Sequence, residues 1–170
     1  KRLFKDILKE SCGHDIKPID MSKDGDKKLI DTITKSMNNF LKASRQGSVR
    51  YKANRANDAG KKMEGTIVEE MKKTSLNPEQ LGSSGYPDLL ITLDGQKCYI
   101  ELKTSAQKNK AKTHHRLFYF TSGKKIKLTA HHLLLQVQIS EEADKYWKVE
   151  YWELRDLYNL KVALKTEWNA

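Results

Sequence analysis

The sequence feature that most constrains the fold lies in residues 87–103, which read PDLLITLDGQKCYIELK. Asp94-Gly95 separates two runs whose composition is typical of β-strands. Asp-Gly favours a two-residue type I′ hairpin turn, because both central positions of that turn need positive φ. We therefore predict antiparallel strands at 88–94 and 97–103, in a register that places Leu93 opposite Gln96 and Asp88 opposite Glu101.

The pleat of this hairpin separates its residues onto two faces, because successive side chains of a strand point in opposite directions. One face is entirely apolar and must face a core; its members are Leu89, Ile91, Leu93, Cys98, Ile100 and Leu102. The other face carries Asp88, Leu90, Thr92, Lys97, Tyr99, Glu101 and Lys103. Two carboxylates and a lysine are therefore predicted to gather at one end of one face.

The opposed carboxylates of Asp88 and Glu101 require a cation between them. Directly opposed residues have Cβ atoms roughly 4.5–5.5 Å apart, and like charges at that distance are destabilising. Mg²⁺ suits this position because it binds one or two carboxylates together with water and phosphate oxygens. Lys103, roughly 6.6–6.8 Å further along the strand, is placed to orient or deprotonate a water and to offset charge developing on phosphate.

The alternative for these three residues is an ion-pair cluster on the surface of an exposed hairpin. The preceding loop favours a functional site instead. Its Gly-Ser-Ser-Gly stretch at 82–85 can bring backbone close to a ligand, and Tyr86-Pro87 restricts how the chain enters the strand.

A helix predicted at about 58–73 presents a carboxylate to its apolar side. With about 100° per residue, Glu64 lies in the middle of the apolar stripe, Glu69 points away and Glu70 is marginal. The apolar stripe consists of Ile67, Val68 and Met71. A carboxylate on a core-facing stripe is costly unless it is paired or metal-bound. Glu64 is therefore either functional or the solvated edge of the stripe, and the site downstream favours a function.

The rest of the chain predicts one α/β domain. Helical spacing of apolar residues predicts helices around 3–8 and 29–41, and a last helix over 153–165. Further strands are predicted at 116–121, 133–139 and 147–152. We expect a mixed central β-sheet flanked by helices, with a helical N-terminal part at 1–57 and the core of the domain at 58–170.

Charge is distributed unevenly along the 170 residues, whose net charge is +10. Residues 32–57 and 102–140 contain no Asp or Glu, and such long stretches of one sign attract a polyanion such as nucleic acid. A merely soluble basic surface is the alternative. The apolar runs are too short to span a membrane, so we expect a cytoplasmic protein with no membrane partner. Cys12 and Cys98 alone indicate neither a disulfide framework nor a Cys-based zinc site.

Histidine pairs occur at 114–115 and 131–132. Adjacent residues of a strand point to opposite faces, so each pair makes a poor joint metal site, and we expect phosphate-facing or core-edge positions. Trp147 and Trp152 are expected to be core or partner contacts.

The motif of Pro87-Asp88, twelve intervening residues and Glu101-Leu102-Lys103, with Glu64 on an upstream helix, resembles the PD-(D/E)XK nuclease superfamily. The likeness covers about residues 60–140. Within that superfamily, ELKTS at 101–105 and the stretch from His114 to Ile139 resemble type II restriction endonucleases.

The resemblance implies a restriction-endonuclease-like core and Mg²⁺-dependent hydrolysis of phosphodiester bonds in double-stranded DNA, with Mn²⁺ able to substitute. The metal ligands would be Asp88, Glu101 and the Leu102 carbonyl, with Lys103 and Glu64 completing the catalytic set. Together with the basic stretch, it gives the DNA-binding candidates Thr104, Ser105, Gln107, Lys108, Lys110, Arg116, Lys124 and Lys125. We expect a homodimer, because cutting both strands of a duplex calls for two active sites.

Two other functions remain open from the sequence. A structure-specific nuclease, such as a Holliday-junction resolvase, would use the same site on branched DNA. A non-catalytic DNA-binding protein would keep the basic stretches but has no need for Asp88 opposite Glu101.

Overall fold

The computed structural model describes residues 1–82, 84–106, 120 and 122–163, and these residues form three α-helices, one short 3-10 helix (Ala143–Lys145) and nine strands. The helices are α1 (Phe4–Cys12), α2 (Asp24–Arg45) and α3 (Ala56–Lys72). The strands are β1 (Arg2–Leu3), β2 (Ile16–Lys17), β3 (Tyr51–Lys52), β4 (Glu79–Gln80), β5 (Leu89–Leu93), β6 (Gln96–Ala106), β7 (Ala130–Glu141), β8 (Tyr146–Asp156) and β9 (Lys161–Val162).

Seven of these strands form one mixed sheet in the order β3-β8-β7-β6-β5-β4, with β2 added beside β7. The pairs β5-β6 and β7-β8 are antiparallel, whereas β6 and β7 run parallel. Helices flank this curled sheet, and β1 pairs with β9 apart from it. The arrangement confirms the predicted α/β class with a mixed central sheet, and it is consistent with a restriction-endonuclease-like core.

The larger core lies between α2, α3 and one face of the sheet. All six residues of the predicted apolar face of the hairpin are buried there, none more than 7% exposed. Helix α2 contributes Leu29, Ile33, Met37 and Phe40 to the same core. Trp147 is buried in it and Trp152 packs against it, which confirms that both are core contacts.

A second core lies on the opposite face of the sheet, under α1. Phe4 and Leu8 of α1 pack there with Tyr99 of β6 and Leu134 of β7. Tyr99 is only 1% exposed, and its hydroxyl accepts the Lys127 backbone N–H at 2.9 Å. The polar face of the hairpin is therefore covered over part of its length, which brings its carboxylates into a half-buried environment.

The predicted last helix over 153–165 is wrong. Strand β8 continues to Asp156, because the long edge of β7 offers it partners as far as Leu133, and Lys161–Val162 pair with β1. The spacing of Leu157 and Leu160 reflects packing of a turn into the second core, where Leu157 is 1% exposed. Residues 164 and 165 lie outside the described part of the chain.

Other predicted elements are found with shifted ends. The strands predicted at 133–139 and 147–152 are the centres of the longer β7 and β8, and the helix predicted at 58–73 is α3. The strand predicted at 116–121 lies outside the described residues, except for Phe120, which is not in a strand. No helix in the described ranges is both long and apolar enough to cross a membrane. Cys12 and Cys98 are free thiols, as expected.

The neighbouring histidines of β7 are buried on opposite sides of the strand. His131 lies 3.1 Å from Asp26 Oδ1, and its Nδ1 donates to the Lys17 carbonyl. His132 Nδ1 lies 2.7 Å from the Tyr86 hydroxyl, and burial lowers the pKa of His132 to about 3. The two side chains thus contact different groups on opposite faces of β7, as alternation along a strand requires. His114 and His115 lie outside the described part of the chain.

Candidate active site

The hairpin turn sets the geometry of the candidate site. Asp94 and Gly95 have φ of 49° and 78°, as the type I′ turn requires. The strands pair from Leu93 opposite Gln96 to Leu89 opposite Ile100, which is the predicted register. Asp88 directly precedes Leu89, the first residue of β5, and its N–H donates to the Ile100 carbonyl at 3.1 Å.

Asp88 and Glu101 meet at this end of the hairpin. The Asp88 carboxylate accepts the Leu102 N–H at 2.7 Å, and the Glu101 carboxyl group donates a hydrogen bond to it. Burial raises the pKa of Asp88, while these two hydrogen bonds oppose that rise. Burial, followed by the charge of Asp88, raises the pKa of Glu101 to about 8. The pair therefore shares a proton at neutral pH when no metal ion is bound.

One oxygen of this pair has no hydrogen-bond partner in the part of the chain that the structure describes. Glu101 Oε2 is buried and makes no hydrogen bond among the described residues. A buried polar atom without a partner is costly, so such an atom at a carboxylate pair indicates a place for a ligand.

Helix α3 adds a third carboxylate. Glu64 is half-buried, and burial together with the charge of Asp88 raises its pKa to about 7. The charge of Glu64 in turn contributes to the raised pKa of Glu101. The structure therefore brings together the three acidic residues that the sequence predicted to be catalytic.

The helical spacing predicted the positions of two of the α3 glutamates imprecisely. The buried stripe also includes Ala59, Gly60 and Met63, which shifts its centre, so Glu64 lies towards one side of it, between Met71 and Val68. Glu70, predicted to be marginal, is 8% exposed and pairs with Lys73. Glu69 points to solvent, as predicted, and it pairs with Lys72.

A glycine allows α3 to approach β6 closely. A Cβ atom at Gly60 would lie 3.1 Å from both Cβ and Oγ1 of Thr104. Gly60 is one helical turn before Glu64, and Thr104 directly follows Lys103. The contact between Gly60 and Thr104 therefore sets how far Glu64 lies from the hairpin carboxylates. The only sign of this contact in the sequence is a glycine inside a predicted helix.

For the DNA cleavage that the resemblance implies, we expect Gly60→Ala to lower the rate about tenfold, because a shift of a few tenths of an ångström at this contact moves Glu64 away from the site. The rate of cleavage at saturating protein measures the effect. Gly65→Ala is the matched control, since a Cβ at Gly65 meets nothing within 4 Å. It should keep the rate and stabilise α3 by about 0.5–1 kcal/mol. Equal rates for the two variants would contradict the role of the contact.

We also expect the metal-free protein to lose stability as the pH rises from about 4.3 to about 8. The unfolded Glu101 has an ordinary pKa of about 4.3, whereas the folded pKa is about 8. Within that window unfolding releases the proton, so the free energy of unfolding falls with pH. Glu101→Gln should flatten part of the fall and raise the melting temperature at pH 8 by about 2–6 °C. Thermal unfolding in EDTA at pH 5, 6.5 and 8 tests this, and parallel curves would refute it.

The other predicted site residues have mixed positions. Lys103 is half-buried on β6, two residues beyond Glu101 and on the same face of the strand. Thr104 and Ser105 are half-buried, and Lys124 is exposed. The Lys125 ammonium group binds backbone carbonyls close to Asp88. The remaining DNA-binding candidates lie outside the described residues: Gln107, Lys108, Lys110 and Arg116.

Within the described ranges, no three His, Cys, Asp or Glu side chains form a ready-made metal cluster. The carboxylate pair offers two candidate side-chain ligands. This number agrees with Mg²⁺, which usually takes one or two carboxylates and completes its coordination with other oxygens.

Comparison with known proteins gives two matches that extend over the whole chain. The model of the type II restriction enzyme MjaV family matches residues 1–170. The chain is also 31% identical, over 189 residues, to the type II restriction enzyme MjaV of Methanocaldococcus jannaschii. That alignment covers 98% of this chain and 81% of the relative. The similarity thus includes the N-terminal helices as well as the hairpin.

Proposed function

The chain belongs to the type II restriction enzyme MjaV family, which makes it a restriction endonuclease, and we propose that it cuts double-stranded DNA at a specific sequence in a Mg²⁺-dependent reaction. We assign its active site to the PD-(D/E)XK type, formed by Asp88, Glu101, Lys103 and Glu64. We propose that the substrate is double-stranded DNA and that the enzyme acts in the cytoplasm.

The observation that carries this proposal is the carboxylate pair with its unpartnered oxygen. Asp88 and Glu101 repel each other when both are ionised, and Glu101 Oε2 lacks a hydrogen-bond partner among the described residues in its buried position. A divalent cation would remove both penalties at once. These residues therefore fit Mg²⁺, for which Mn²⁺ would substitute, and the bound ion would activate water and polarise the phosphate.

The Leu102 carbonyl would be a third ligand. The Leu102 N–H donates to the side chain of Asp88, the residue directly before β5. The N–H and C=O of one residue in an antiparallel pair face the same neighbouring strand, so the Leu102 carbonyl faces the same side. No β5 residue opposes it there, because β5 begins at Leu89 opposite Ile100.

Two further residues complete the proposed chemistry. Lys103 shares the strand face of Glu101 and would donate to a phosphate oxygen, offsetting its developing charge, or orient the attacking water. Glu64 has a pKa of about 7, so at neutral pH it is poised to accept a proton from that water. We propose a homodimer as the active form, because one site of this kind cuts one strand.

The test is incubation of the protein with long DNA and Mg²⁺. A sequence-specific endonuclease gives discrete bands that vanish in EDTA and return with Mn²⁺. Preferential cutting of branched over plain duplexes would instead support a junction resolvase. DNA binding without cleavage in either metal would indicate a non-catalytic binding protein and refute the proposal.

A further inference from the structure

The loop that joins β4 to β5 turns its backbone carbonyls toward one point. The Leu81 N–H donates to the Asp88 carbonyl at 2.9 Å, which closes the loop directly at the first catalytic carboxylate. Gly82 and Gly85 have φ of 95° and 79°, a conformation that other residues rarely adopt. Three carbonyl oxygens that converge inside such a loop repel each other unless a donor lies between them.

Lys125 supplies that donor. Its ammonium nitrogen lies 2.8 Å from the Gly85 carbonyl, 3.2 Å from that of Pro87 and 3.4 Å from that of Gly82. A lysine ammonium group has three hydrogens to donate. The loop carbonyls therefore surround the ammonium group, with Gly85 and Pro87 at ordinary hydrogen-bond distances and Gly82 further away. The charge pattern by itself indicates a DNA phosphate as the partner of this residue.

The backbone around Lys125 is held firmly. The Gly123 N–H donates to Ser11 Oγ at 2.9 Å, and a Cβ at Gly123 would lie only 2.6 Å from Cys12 Cβ, so this glycine packs tightly against α1. Ile126 is 3% exposed, and the next N–H donates to the Tyr99 hydroxyl of β6. The ammonium group is thus fixed relative to both α1 and the sheet.

We propose that Lys125 is a positioning residue of the active site, whose ammonium group clamps the β4-β5 loop and so fixes Asp88 against β6. Its effect on cleavage rests on the proposed function. The clamp itself is a property of the free protein and can be measured without DNA or metal.

The test replaces Lys125 with Met, which keeps the length and apolar stem of the side chain but removes its donors. Hydrogen exchange in metal-free protein should become faster in the peptide that covers residues 81–88, because the loop loses its clamp. The single-turnover rate of cleavage should fall about 10- to 100-fold, as expected when a reacting group is misplaced by up to about 1 Å. DNA affinity in EDTA should change less than about twofold, since the side chain does not contact phosphate.

Two variants separate this role from general effects. Lys125→Arg keeps the charge and can still donate to carbonyls, so it should recover most of the rate and the slow exchange. Lys127→Met removes the same charge from an exposed position of the same segment and should change neither.

Two outcomes would overturn the clamp. Weaker DNA binding of Lys125→Met with a normal single-turnover rate would make Lys125 a DNA contact. Slow cleavage without faster hydrogen exchange in the loop would show that Lys125 does not position Asp88 through the loop. If the wild-type protein cuts no DNA, the proposed function fails, while the exchange data still decide whether Lys125 holds the loop.

Discussion

Replacing Asp88 with Asn or Glu101 with Gln is expected to reduce DNA cleavage at least about 1000-fold while leaving the fold intact. Each change removes one of the two carboxylates proposed as metal ligands. The stabilisation that a bound metal supplies in such a reaction is several kcal/mol, at about 1.36 kcal/mol for each factor of ten. The amide oxygen introduced by Asp88→Asn would still accept the Leu102 N–H, so the hairpin should keep its register. The cleavage rate should fall, and so should the affinity of the DNA-free protein for Mn²⁺, measured by titration.

Asp94→Asn is the matched control for these variants. Asp94 lies in the turn of the same hairpin, is exposed and pairs with Lys28. Asn suits a type I′ turn as well as Asp does, so this variant loses one carboxylate of the hairpin without disturbing the site. We expect a normal rate of cleavage. Near-normal cutting by Asp88→Asn or Glu101→Gln would refute the active-site assignment, whatever Asp94→Asn does.

The second large effect concerns the glutamates of α3. Glu64→Gln should lower the cleavage rate about 100-fold, the lower end of what a positioned general base contributes, because the amide cannot accept a proton from the water. The substitution keeps the size of the side chain, so the packing of the helix edge should persist. Circular dichroism should show an unchanged fold, and single-turnover kinetics measure the loss.

Two other positions of the same helix serve as controls. Glu69→Gln alters an exposed residue and should be almost silent. Glu70→Gln alters a buried residue whose partner is Lys73, so it should lower the melting temperature without changing the rate. If Glu69 or Glu70 proved essential and Glu64 dispensable, the upstream part of the site would be wrong, although the hairpin assignment would survive.

Local rules account for the part of the fold that the sequence predicts well. The register of β5 and β6 follows from the Asp94-Gly95 turn, because a two-residue loop leaves only one way to pair the flanking strands. The buried face of the hairpin follows from period-two alternation, and α3 follows from helical spacing. These features let the sequence alone bring Asp88, Glu101 and Glu64 together as candidates.

Long-range contacts decided the rest, because their partners are distant in the chain. Strand β8 continues to Asp156 only because β7 provides an edge for it, so a local leucine spacing wrongly predicted a helix there. The raised pKa of Glu101 depends on its burial and on the charge of Asp88, and no window of sequence contains that burial. Lys125 reaches the loop before Asp88 across roughly forty residues of sequence, and composition gave no sign that its charge would be used inside the protein. The sequence thus determined which residues are candidates for the site, and the tertiary structure determined how buried and how firmly held they are.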